Sequence, residues 1–221
     1  MDSDPHAAPS PQTARPIRER AFGEQRVQSA VDRFGIWLSA RQIRRRAGGL
    51  SHKRLGDFGC GYQASFVRSV LGEIESAVIV DVSLADDLVE NPKISAYVGP
   101  LPDALSAVPD ASVDVVLCIS VLEHLDDPLA TLLGLRRIVA GGGVCIVNVP
   151  TWRGKRFLEL ASFRLGLSPP EEMDDHRRYY DPRDLWPLLV EAGFRPRDIK
   201  CFRHKFGLNT FAVCRAPQPR S

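Results

Sequence analysis

No run in this sequence approaches the roughly 20 apolar residues that a bilayer-spanning helix needs, so no transmembrane segment is expected. Neither charge sign dominates. Lys and Arg number 29 against 27 Asp and Glu, a formal charge of +2, which argues against a polyanion-coating protein. The five cysteines, Cys60, Cys118, Cys145, Cys201 and Cys214, form no CxxC pair. That removes zinc-ribbon and thioredoxin-type readings and suits reduced, mostly buried thiols in a cytoplasm. The segment Met1–Pro16 holds Pro5, Pro9, Pro11 and Pro16 but no apolar core, so it reads as a disordered tail and not a secretory signal.

What is present is an ordinary globular balance, 44% hydrophobic and 25% charged, long enough for one well-buried domain. We place the boundaries at 1–16 (tail), 17–52 (helical segment) and 53–217 (main domain), with 152–180 as a substrate-side insertion or lid. In the helical segment, Val27, Val31, Phe34 and Leu38 recur at three- and four-residue spacing between Glu19 and Ala47, and Gly48-Gly49 ends the run. Beyond it strands and helices alternate. Strands are expected at Arg54–Phe58, Ala77–Val82, Ser95–Val98, Ser112–Ser120 and Val144–Val149. Helices are expected at Ala64–Leu71, from Pro128 to the glycines Gly141–Gly143, and from Pro182 to Ala192 with a kink at Pro187, and a short helix or turn at Leu84–Asn91. Two last strands, Arg197–Phe202 and Thr210–Arg215, read as a hairpin. The predicted fold class is α/β: a doubly wound, mostly parallel, seven-stranded sheet with an antiparallel C-terminal hairpin. Such sheets bind ligands beyond the carboxyl ends of their strands.

The loops at those ends hold the informative residues. After the first strand comes Gly59-Cys60-Gly61, a turn through which a ligand can approach the backbone, with a helix N-terminus behind it. It is not the GxxxxGK[ST] phosphate loop, and Ala64 leaves GxGxxG incomplete. Asp57 ends the first strand. Asp81 ends the second, roughly 20 residues beyond the glycines, where a carboxylate accepts hydrogen bonds from a ribose diol. These features admit any nucleoside-containing cofactor, a nicotinamide dinucleotide included.

The stretches LGDFGCG (55–61), VIVDVS (78–83), PDASVDVVLCISVLEHLDDP (109–128), LRRIVAGGGVCIVNVP (135–150) and HRRYYDPRDLWPLLVEAGF (176–194), in this order, resemble the class I S-adenosylmethionine-dependent methyltransferases, over roughly Lys53 to Val213. The resemblance implies S-adenosylmethionine as cofactor. Asp57 and the Gly59, Cys60 and Gly61 backbone would hold its methionine part, Asp81 its ribose, Val82 its adenine, and Ser120, Val121 and Leu122 would flank the methyl group. Two positions depart from the family's pattern: Gln63 replaces a third glycine, and Gly99-Pro100 replaces a glycine–aspartate that binds the adenine amine, with Asp103 out of register.

For the acceptor side, the resemblance points to Trp152, Arg177, Tyr179 and Tyr180 as substrate contacts, and to His124 and His176 as catalytic groups able to take a proton from a hydroxyl or amine. Ser120 stands where metal-dependent relatives carry a Glu, so no metal is expected. The implied activity is methyl transfer to a small molecule, anionic or neutral, such as a sugar, lipid-linked or aromatic metabolite. RNA or protein methylation, and a non-catalytic partner subunit, remain the alternatives. Nucleic acid is not the expected partner, because no aromatic interleaving accompanies the basic clusters at Arg41–Arg46 and Arg177–Arg183.

Overall fold

A computed structural model describes residues 30–154 and 178–218, with side chains of α1 from residue 33 onward. The tail at 1–16, the start of the helical segment and most of the 152–180 insertion, His176 and Arg177 among them, lie outside the described residues.

Seven strands form one sheet in the order β3-β2-β1-β4-β5-β7-β6. They are β1 (Arg54–Phe58), β2 (Ser76–Asp81), β3 (Ile94–Val98), β4 (Val113–Ile119), β5 (Val139–Pro150), β6 (Ile199–His204) and β7 (Asn209–Arg215). The first five are parallel to one another, and β7 runs antiparallel to β5 and to β6. The chain leaves β1 to build one half of the sheet and returns at β4 to build the other. This switch point lies between β1 and β4, where open α/β sheets take their ligands.

Successive residues of a strand point to opposite faces, and the core divides accordingly. On one face Phe58, Val116, Cys118 and Val147 pack with Leu132 and Leu135 of α4 (Pro128–Ile138) and Leu185 and Leu189 of α5 (Pro182–Glu191). On the other, Leu55, Ile79, Leu117, Ile146 and Phe211 pack with Ile43 of α1 (Ala30–Ala47), Val67 of α2 (Ser65–Val70) and Leu88 of α3 (Asp86–Val89). Strands buried on both sides explain the near-continuous apolar runs in the sequence.

Local chemistry fixes the elements. The Asp127 carboxylate accepts from the Ala130 amide at 2.9 Å, and Pro128 opens α4. Arg54 grips Asp114 from the backbone and the guanidinium (2.7–3.1 Å), locking β1 beside β4 at the end away from the ligand side. Its guanidinium holds the Asp114 carboxyl below the usual carboxylate range. One expectation changes. Helix α4 stops at Ile138, and the glycines Gly141–Gly143 lie inside β5, which begins at Val139. The Gly143 position allows no side chain: a Cβ would stand 2.7 Å from the Asp114 carbonyl oxygen. Helix α5 runs from Pro182 to Glu191 with Pro187 inside it.

Leu135 is fully buried between α4 and the sheet. Leu135→Ala is expected to cost about 2–5 kcal/mol, read as a lower urea midpoint with an unchanged slope.

Candidate cofactor and acceptor site

The carboxyl ends of β1, β2, β4 and β5 bring the predicted cofactor residues into one region. Gly59 (φ +81°) turns the chain out of β1, and its amide donates to the Val80 carbonyl at 2.7 Å. A Cβ there would come within 2.3 Å of Val121 on the loop after β4, so two of the predicted segments touch at this glycine. The Gly61 amide donates to Asp81 Oδ2 at 2.7 Å, and the Val82 amide to Oδ1 at 2.8 Å. These two bonds orient the Asp81 carboxylate, and each oxygen keeps lone-pair capacity for further donors. The Cys60 thiol sits against the Gly61 carbonyl at 3.4 Å. Burial, followed by the Asp57 and Asp81 charges, pushes that thiol up.

Asp57 is the electrostatic centre. Its side chain is buried, and its pKa is pushed up to about 7, first by burial and second by the Asp81 carboxylate. Two partly buried carboxylates are complementary to a cation that carries hydroxyl and ammonium donors. This acceptor set fits S-adenosylmethionine, which carries a sulfonium, an ammonium and a ribose diol.

After β4, Ser120 takes a positive φ (+58°) while its amide donates to the Asn148 carbonyl at 2.7 Å. This conformation throws Val121–His124 across the sheet end. Leu122 is packed in the core, Glu123 is buried, and His124 is half-buried. Trp152 and Tyr179 sit ring to ring at 5.4 Å. Tyr180 belongs to the core: its amide donates to the Pro150 carbonyl (2.9 Å), and its own carbonyl accepts from Thr210 (2.7 Å). Asp103 is exposed on a turn after β3. Among the described residues, no group of three or more His, Cys, Asp or Glu stands where it could hold a metal ion.

A second set of polar residues was not singled out in the sequence. The connection after β6 returns to the ligand end, because Asn209 pairs with Pro150. There Lys205, at φ +49°, places Nζ 3.6 Å from where a Cβ on Gly35 of α1 would lie. Burial lowers its pKa, and the Glu123 carboxylate opposes that shift. Beneath α1, Ser39 Oγ, both amide atoms of Asn148 and His204 Nε2 are buried without a hydrogen bond among the described residues. Asn148 pairs across the sheet with Phe211, whose ring meets the His204 ring at 5.3 Å, so these groups share one face. Buried polar atoms are nearly always satisfied. This set is a candidate place for a hydrogen-bonding occupant. No spacing motif announces it, because its members come from α1, β5 and β6.

Two outcomes follow. Gly59→Ala, which meets both Val121 and a left-handed backbone, is expected to lower the melting temperature and weaken cofactor binding together. For Asp57, a folded-state pKa above the unfolded one favours folding below about pH 4 and is lost as pH rises through about 7. Stability of the cofactor-free protein measured against an Asp57→Asn variant should fall across that window by about 4 kcal/mol; parallel profiles would refute the burial assignment.

The comparisons with known proteins agree with this geometry. A family profile described as a methyltransferase domain matches residues 23–199. The ubiquinone biosynthesis O-methyltransferase of Psychrobacter arcticus is 27% identical over 74% of this chain and 67% of its own length. The chain spans about two thirds of the length of such relatives. Among solved structures, an Archaeoglobus fulgidus S-adenosylmethionine-dependent methyltransferase superposes with a TM-score of 0.58 at 17% identity, covering 81% of this chain and 93% of that one. A Haemonchus contortus phosphoethanolamine N-methyltransferase gives 0.61 at 15% identity, covering 82% of this chain and 53% of that one. Profile, sheet order and carboxylate-lined glycine loop converge: the chain belongs to the class I S-adenosylmethionine-dependent methyltransferase-like domains.

Proposed function

We propose that the protein transfers a methyl group from S-adenosylmethionine to a small, hydrogen-bonding acceptor of the sugar or lipid-linked kind. The observation that supports this most is the set of buried polar atoms beneath α1, on Ser39, Asn148 and His204, that lack a partner among the described residues. They offer hydroxyl, amide and imidazole groups, and Lys205 beside His204 adds an ammonium. Such a lining suits a polyhydroxylated or anionic acceptor better than a flat apolar ring, whose entry would leave these groups unpaired.

Asp57, Asp81 and the Gly59–Gly61 backbone would hold the cofactor, with Val82, Ser120 and Val121 completing its walls. The bound sulfonium supplies an electrophilic methyl group. The protein's own work is to position the acceptor, exclude water and take up the acceptor proton. His124, half-buried on the rim, is the described residue suited to receive a proton from a hydroxyl. Trp152 and Tyr179 would form the opposite wall. Arg177 and His176 remain part of the proposal as acceptor contacts, outside the described residues. Five cysteines without a disulfide support a reducing, cytoplasmic setting.

Calorimetric titration with S-adenosylmethionine is expected to give micromolar binding. Asp81→Ala should weaken it by about tenfold to hundredfold, as loss of hydrogen bonds to a charged group does. Absence of binding to the wild-type protein would refute the enzyme reading.

A further inference from the structure

The outer face of α1 is apolar where a surface helix is ordinarily polar. Phe34 and Trp37 are 52% and 54% exposed and stack on each other at 5.9 Å. The helix holds five arginines against one aspartate. Arg33, Arg41 and Arg45 are exposed. Helical periodicity of 100° per residue sets Arg33, Trp37, Arg41, Phe34 and Arg45 on one face. Arg44 is engaged elsewhere, paired with Glu73 at 2.5 Å.

The β6–β7 connection lies against another side of α1, at the ligand end of the sheet. The N-terminal half of α1 meets the β6–β7 connection, since Lys205 Nζ reaches Gly35. The next residue, Phe206, is 86% exposed at φ +59°. A left-handed conformation in a bulky residue is costly. Here it points an aromatic ring outward, where folding gains nothing from it. Exposed Arg203 flanks the same turn, and the Arg153 guanidinium lies 3.7 Å from the Cβ position of Gly207.

From these observations we propose that this face, α1 with the β6–β7 turn, docks on the surface of an anionic lipid bilayer. Aromatic side chains ringed by arginines are the chemistry of an interfacial helix: Trp and Phe enter the headgroup boundary while guanidinium groups engage lipid phosphates. Basic residues near an anionic leaflet add electrostatic attraction that salt screens. A single-stranded nucleic acid fits less well, because it needs separate ring faces along a basic groove. Phe34 and Trp37 instead cover one another on a convex helix. The surface itself stands on its own observations, and it is read without any turnover.

The test is co-sedimentation of the full chain with phosphatidylcholine vesicles, with and without phosphatidylglycerol. The protein is expected to pellet with the phosphatidylglycerol vesicles and to be released by salt. Trp37→Ser with Phe206→Ser should reduce binding about tenfold, as should Arg41→Glu with Arg45→Glu, while melting temperature and S-adenosylmethionine affinity stay at wild-type values. Three results would overturn the proposal: no pelleting with anionic vesicles, pelleting unchanged in both variants, or tight binding of a single-stranded RNA oligonucleotide that the same substitutions abolish. Unchanged cofactor affinity in the variants separates failure of this surface from failure of the methyltransferase reading.

Discussion

A carboxylate buried at the end of a central strand organises this molecule. Asp57 sits where β1 meets the glycine turn, within the field of Asp81 on the neighbouring strand, and burial holds its pKa near 7. The fold tolerates this because the sheet around it is otherwise dry and well packed: Leu55, Ile79 and Leu117 are fully buried on the same face. Stability given up at the carboxylate pair is affinity available to a cation. The glycines, the Asp81 amide contacts and the Val121 wall follow as ways of keeping that pair in place and approachable.

The proposed acceptor side is built differently. It is assembled from segments distant in sequence: α1, the loop after β4, the end of β5 and the β6–β7 turn. The antiparallel β7 makes this possible by returning its N-terminal end to Pro150. Without that reversal, Lys205 and His204 would lie at the other end of the strands from Pro150. The proposed cofactor half is thus made of consecutive βα units, and the proposed acceptor half of a tertiary convergence.

This difference sets what the sequence reveals. Strand β1 was legible to the residue, because Arg54–Phe58 lies between a helix and a glycine turn. Asp57, Asp81 and Gly59–Gly61 were legible because their spacing follows from one β-α-β unit. The start of α4 was readable from Asp127-Pro128, whose capping chemistry is local. The end of α4 was not. Gly141–Gly143 suggests a stop, but tertiary pairing draws these residues into β5, where only a glycine leaves room beside Asp114. Tyr180, expected at the substrate, is held in the core by backbone bonds to Pro150 and Thr210, which no pattern in HRRYYDP foretells. Lys205, Ser39 and Asn148 were invisible for the same reason: their meaning lies in what faces them.

The central claim is that the buried carboxylate exists to meet the cofactor's positive charge. It is tested most directly by counting protons during cofactor binding. Calorimetry at pH 7, in two buffers of different ionisation enthalpy, gives the number exchanged. With its pKa raised to about 7 in the free protein, Asp57 is partly protonated at pH 7, and a bound cation displaces that proton. The account predicts that the wild-type protein releases more protons than Asp57→Asn on taking up S-adenosylmethionine. Equal proton counts in the two proteins would contradict it.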